Sequence, residues 1–187
     1  MRWRRLFEDL ETQAAALDEA ELRNEIADRT RAELAGVPLS RRLHSALGAA
    51  VELRLLGDAV IRGQLSGWGP DWLLVDSGDE VVVSTPAIVA AARLGEGVSA
   101  PAGIGLVESR TSITTVLRAI ARDRSAVAVR LIDGSQIIGT PDRVGADWID
   151  IAAHDVGDAP RPPAVQGRWT VPLGSMSLIR RSTVGWQ

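Results

Sequence analysis

The sequence predicts a mainly β protein with α: a charged N-terminal helical segment, then two five-stranded, strongly bent β-barrels, each preceded by a short helix. Three observations carry that prediction. Residues 51–75 and 127–151 align without a gap at an offset of 76, and eight of the 25 positions are identical. The identities are Val51, Arg54, Leu55, Ile61, Gly63, Gly69, Asp71 and Trp72 against Val127, Arg130, Leu131, Ile137, Gly139, Gly145, Asp147 and Trp148. Apolar residues alternate at period two through Val51, Leu53, Leu55 and through Val127, Val129, Leu131, as in a strand with one buried face. One glycine, Gly63 or Gly139, then interrupts each second strand, where a bend or bulge lets a short sheet curl toward closure.

The elements follow in order. Residues 1–36 form the charged helical segment, with Trp3, Leu6, Leu10 and Leu17 on one stripe and Leu22, Ile26 and Leu34 on another. Asp18 and Glu21 fit a capping box where the stripes change phase, so one helix or two are both compatible with the pattern. Glu19–Arg23 and Glu25–Arg29 stand at the favourable i, i+4 spacing, and Gly36 and Pro38 end the segment. A narrow apolar stripe of this kind packs on one surface or one partner helix. The alternative makes residues 2–7 a membrane-surface foot, which Glu8, Asp9 and Glu11 oppose because an anionic leaflet repels them.

The first barrel spans 37–94, with a helix expected near Ser40–Leu47, capped by Ser40. Gly57-Asp58 and Asp133-Gly134 supply the positive φ angles of two-residue hairpins, and third strands are expected at Trp72–Val75 and Trp148–Ile151. Residues 95–110 are a Gly/Ala/Pro linker. The second barrel spans 111–182, opening on a helix at Ser112–Arg122 that Thr111 can cap. Beyond the third strand the repeat resumes at an offset of 88, where Val83 meets Val171, so the second copy holds a twelve-residue insertion. It lies in the loop 152–167, whose Pro160, Pro162 and Pro163 cannot join a sheet.

Composition narrows the function classes. The chain of 187 residues has no cysteine, which excludes disulfides, thiolate metal sites and cysteine nucleophiles and fits a reducing, cytoplasmic setting. No apolar run approaches the roughly 18 residues that span a bilayer. All 21 basic side chains are arginine, yet the net charge is −3, and residues 126–187 hold six Arg and six Asp, so neither half is basic like a typical nucleic-acid binder. His44 and His154 are the two histidines, in unlike settings, and no metal-site spacing exists. Asp147 and Asp150 could pair for acid–base work, but their counterparts are Asp71 and Leu74. Gly95–Gly105 is glycine-rich without the lysine of a phosphate loop, so neither cofactor nor metal is expected and an enzymatic role has no supporting constellation.

With these residues in view, both units resemble Sm-like domains. The first looks like the bacterial Hfq RNA chaperone along Leu53-Arg54-Leu55-Leu56-Gly57 and Ile61-Arg62-Gly63-Gln64-Leu65, with Ser84-Thr85-Pro86-Ala87-Ile88 where that family's last motif falls. The layout, with Trp-Arg near the start and Asp28–Arg31, is also similar to uncharacterised actinobacterial proteins, a resemblance that implies no activity. The family resemblance implies ring-like self-association through strand edges and binding of RNA. The RNA-reading Tyr-Lys-His-Ala motif of Hfq is replaced by Ser84, Thr85, Pro86 and Ala87 in one unit and by Pro172, Leu173, Gly174 and Ser175 in the other. Nor does either copy have the Arg-Gly pair of other Sm proteins near its last turn.

Five residues are candidate binding positions. Trp72 and Trp148 could form a stacking platform for bases, or could pack on the strand face opposite Leu73 and Ile149. Trp68, with Val144 as its counterpart, could serve one-sided recognition or packing. Arg54 and Arg130 could hold phosphate or form salt bridges, Glu52 being close to Arg54. The expected function is self-association, as a dimer or ring through strand edges or N-terminal helices, and binding of a protein partner. RNA or single-stranded nucleic acid is the alternative ligand.

Overall fold

The computed structural model describes residues 19, 21–23, 25, 28–95, 110–154 and 167–181. Residues 1–39 and 40–187 are two compact units. In the first, helical backbone runs over 28–35 and stops at Gly36. The Glu19–Arg23 pair is present at 2.8 Å, whereas Arg29 pairs with Glu33 at 3.6 Å rather than with Glu25. Leu22 and Leu34 are exposed. The stripe through Trp3, Leu6, Leu10 and Leu17, the capping box, and the choice between one helix and two lie outside the described residues.

The second unit is mainly β. Helix α1 (Leu39–Ser45) leads into β1 (Ala50–Leu55), β2 (Ala59–Trp68), β3 (Trp72–Asp76), β4 (Glu80–Ser84) and β5 (Ile88–Ala92). Helix α2 (Ile113–Asp123) leads into β6 (Val127–Leu131), β7 (Gln136–Val144), β8 (Trp148–Ala153), β9 (Gly167–Pro172) and β10 (Met176–Arg181). The expected linker lies almost wholly outside the described residues, as do 155–166 of the inserted loop.

The duplication read from sequence recurs pair by pair. Leu55 faces Ile88 and Arg54 faces Ala90 across β1 and β5; Leu131 faces Met176 and Arg130 faces Leu178 across β6 and β10. Both ladders slip at that step, and β2–β3 and β7–β8 each carry an irregularity at Ser66 and its counterpart Asp142. Gly63 and Gly139 lie inside β2 and β7 because a Cβ there would run into the carbonyl oxygens of Asp76 and Ala152 on the neighbouring strand. Gly69 and Gly145 are needed for a related reason, since the indoles of Trp72 and Trp148 lie against them.

The ten strands form one continuous antiparallel sheet in the order β5-β1-β2-β3-β4-β10-β6-β7-β8-β9. It is not closed. The halves join where β4 and β10 pair, Leu178 with Val83, Ile179 with Val82 and Arg180 with Val81. Among the described residues, edge strands β5 and β9 each keep one neighbour.

Several local expectations change. Both hairpins use three residues, 56–58 and 132–134, rather than two: Leu55 pairs with Ala59, and the Leu131 N–H donates to Ser135 O at 2.9 Å. Gly57 and Asp58 both take positive φ (79° and 57°), whereas in the second hairpin Gly134 alone does (86°), because reversing Gly-Asp to Asp-Gly moves the glycine one place. Helix α2 starts one residue later than expected and its N-cap Ser112 makes no side-chain cap bond. The carboxylate of Asp71, on the turn before β3, accepts the Ile113 N–H at 2.9 Å and does that work from a distance of 42 residues.

Two cores lie side by side and exchange residues across the junction. Leu178 of β10 is buried with Leu53, Leu55, Ile61, Leu65, Val81 and Val83 of the first half. Conversely, Trp72 and Val82 of the first half are buried with Leu117, Val129, Ile149 and Ile179 of the second. Alternation explains the exchange. Successive residues of β3 and β4 point to opposite faces, so Leu73 and Val83 serve one core while Trp72 and Val82 serve the other.

Candidate interaction interface

The five candidate residues do not converge on one surface. Trp72 is 6% exposed, covered on the second half's side, and its indole N–H donates to the Thr111 carbonyl at 2.7 Å. Together with Asp71 it clasps the chain entering α2. A base cannot stack on an indole so enclosed, and Trp72 packs on the face opposite Leu73, as the alternation required. Trp148 is half-buried on β8. Trp68, at the end of β2, stacks on His44 of α1 with ring centroids 3.5 Å apart and planes 21° apart. Burial there holds the His44 imidazole below its ordinary pKa.

The two arginines diverge most. Arg130 reaches from β6 across the junction, and its Nη2 and Nε donate to the carbonyl of Gly57 at 2.8 and 3.3 Å. Gly57 is pressed on the second half's turn so closely that a Cβ would stand 2.6 Å from the Gly134 nitrogen and 2.7 Å from the Leu131 oxygen. Arg130 is therefore part of the junction. Its counterpart Arg54 is exposed on β1 beside edge strand β5, with no hydrogen bond or salt bridge to a described residue. The expected pairing with Glu52 goes instead to Arg62, which faces Glu52 across β1 and β2 and bonds it at 2.9 Å. That bond holds the Glu52 carboxyl below its ordinary pKa. Arg54 acts on Glu52 through its charge alone, after Arg62 and Arg93.

The sequence leads one to expect association through strand edges; among the described residues the strands with a single neighbour are β5 and β9, and the side chains they expose are what sequence reasoning missed. Among the described residues of 40–187, the two most exposed large apolar side chains are Val89, 62% exposed on β5, and Trp169, 58% exposed on β9. Trp169 lines a groove of about 230 Å³ with Leu131, Ile137, Val171 and the turn residue Asp133. The Asp133 carboxylate accepts the Ser135 N–H at 2.8 Å and hydroxyl at 2.6 Å, which holds its pKa below the ordinary value. Trp169 was legible only as the counterpart of Val81, at the offset of 88. That pairing shows a small buried position filled by a large residue.

On the outer face of β8 and β9, Asp150 is 5% exposed, accepts Thr170 Oγ1 at 2.6 Å and pairs with Arg143 at 2.8 Å. Thr140 and His154 share a buried 2.9 Å hydrogen bond. Asp147 is exposed and takes no part, so the Asp147–Asp150 acid–base reading finds no support. Among the described residues, no group of three or more His, Cys, Asp or Glu side chains could hold a metal ion. No described helix is long and apolar enough to cross a membrane. No family model, curated protein or solved structure matches the chain.

Proposed function

We propose that the chain is a non-enzymatic tandem module of two Sm-like bent barrels that acts by self-association through its sheet edges and by binding protein partners. One observation carries the reading: the repeated halves are joined edge to edge at β4 and β10, while the corresponding strands at the two ends, β9 and β5, have no such neighbour among the described residues. An uncovered edge is a row of unpaired N–H and C=O groups that templates another strand, and Val89 and Trp169 add apolar area to it. A closed assembly, either a dimer or three chains forming a six-barrel ring, removes both edges at once. Against nucleic acid as the principal ligand stand the enclosure of Trp72 and the commitment of Arg130 to Gly57.

Multi-angle light scattering and sedimentation velocity at micromolar concentration test the reading. The expected result is a dimer or trimer, and a strict monomer would overturn it. Titration with short U-rich and A-rich RNAs at about 50 mM salt is expected to give no binding; affinity that falls steeply with added salt would favour an RNA ligand instead.

A further inference from the structure

We propose that the turn 145–148 docks the first turn of a helix in a partner protein, one that offers a main-chain carbonyl to the Trp148 indole N–H and a main-chain N–H to the Asp147 carboxylate and carries acidic side chains where α2 is apolar. This deepens the partner-binding part of the proposed function and rests on that part alone.

The repeat supplies the template. The turns 69–72 and 145–148 are closed by the same bonds: the Gly69 N–H donates to Trp72 O and the Gly145 N–H to Trp148 O, each at 2.8 Å. The carbonyl of Asp71 accepts the Thr85 N–H at 3.0 Å, and that of Asp147 accepts the N–H of Leu173, the counterpart of Thr85, at 2.8 Å. In both turns the indole lies on the glycine. The first turn holds a polypeptide. Its indole N–H donates to Thr111 O at 2.7 Å and its carboxylate accepts the Ile113 N–H at 2.9 Å, so the chain is gripped where it enters a helix and an orphan first-turn N–H finds an acceptor. The second turn presents the same two groups. Asp147 is exposed, Trp148 is half-buried, and neither side chain bonds a described residue.

What lies beside each turn sets the chemistry of its occupant. Val116 and Ile120 of α2 line one apolar cleft with Trp72, Leu74 and Val82. The repeat replaces Leu74, Glu80 and Val82 by Asp150, Arg168 and Thr170. Asp150 is engaged by Thr170 and Arg143, and Arg168 pairs with Asp142. The cations of these pairs stand outermost, since the Arg143 and Arg168 side chains are 66% and 62% exposed against 8% and 34% for Asp150 and Asp142. A helix lying here as α2 lies on the first half meets guanidinium groups where α2 meets apolar ones. Glu or Asp at the places of Val116 and Ile120 complements them. The chain's other helix entry fits this turn less well: α1 follows Val37-Pro38, whereas α2 follows Thr111-Ser112, with the Ser112 hydroxyl bonded to that of Thr114 at 2.7 Å.

Fluorescence anisotropy on the full-length chain tests the proposal. The probe is a labelled peptide of residues 110–124 carrying Val116→Glu and Ile120→Glu; the chain's own α2 already fills the first turn. Saturable binding with a Kd of about 10–100 μM is expected. Asp147→Ala should weaken it about tenfold and, at an exposed residue, leave the melting temperature unchanged. Trp148→Phe, which keeps a ring and loses the N–H, should weaken it about fivefold. The unsubstituted peptide should bind more weakly than the probe. No binding up to about 1 mM probe, equal binding by the Asp147→Ala chain, or equal binding of the two peptides overturns the inference and leaves self-association standing. So does an Asp147→Ala chain whose self-association weakens in sedimentation equilibrium, which makes a second copy the occupant. A wild type that is monomeric yet binds the probe upholds the inference and overturns the assembly.

Discussion

Leu178→Ala should destabilise the first half although Leu178 belongs to the second. The side chain is fully buried, lies on β10 between Val83 and Arg130, and packs with Leu55, Ile61 and Val81. Truncation removes three carbons, about 2.4 kcal/mol of transfer free energy at about 0.8 kcal/mol per buried methylene. The cavity left between two rigid ladders adds to this, and the total should fall near 3 kcal/mol, inside the range of about 2–5 for buried Leu→Ala. For a chain of this size that corresponds to a melting temperature lower by about 6–12 °C. Urea titration followed by tryptophan fluorescence and by circular dichroism measures it, with Val89→Ala as the exposed control expected within about 0.5 kcal/mol. A Leu178→Ala midpoint equal to that of Val89→Ala would refute the shared core. So would two separate transitions of which only the second half's moved.

Three further outcomes follow from the same geometry. Gly63→Ala and Gly139→Ala should each lower stability by about 1–3 kcal/mol in denaturant titrations, because the new methyl meets a backbone carbonyl that cannot step aside. Arg130→Ala should lower stability by about 1.5–3 kcal/mol through loss of its charged hydrogen bonds to Gly57, whereas Arg54→Ala, at an exposed position, should leave the melting temperature unchanged. Asp150 is held below its ordinary pKa, first by the Thr170 hydroxyl and then by Arg143. Its contribution is therefore complete above the ordinary carboxylate range and lost as pH falls through the lowered value; Asp150→Asn should flatten that part of the acid-stability curve, and an unchanged curve would contradict the assignment.

Much of the fold was legible because repeated constraints leave repeated residues. Gly63 and Gly139 mark the places where a neighbouring strand presses on the backbone, and Gly69-x-Asp71-Trp72 with Gly145-x-Asp147-Trp148 marks a turn on which an indole rests. The same shared letters concealed divergent uses. Trp72 and Asp71 clasp the entry to α2, while Trp148 is half-buried and Asp147 exposed; Arg130 grips Gly57 while Arg54 faces solvent. Pattern matching equates such pairs, since it registers position within a half and not what lies beside that half.

Strand alternation, bend glycines and the twofold copy with its inserted loop came from the chain itself, because each is a local requirement of backbone geometry that residue type satisfies directly. That β4 in particular pairs with β10, which leaves β5 and β9 as the ends of the sheet, and that Leu178 is exchanged for Trp72 and Val82 between cores, appeared only in three dimensions. They depend on which of several equally suitable edges meet, and hydrogen-bonding edges made of the same backbone groups carry no label in the sequence. Their neighbours' side-chain volumes and charges make that choice once the halves are folded.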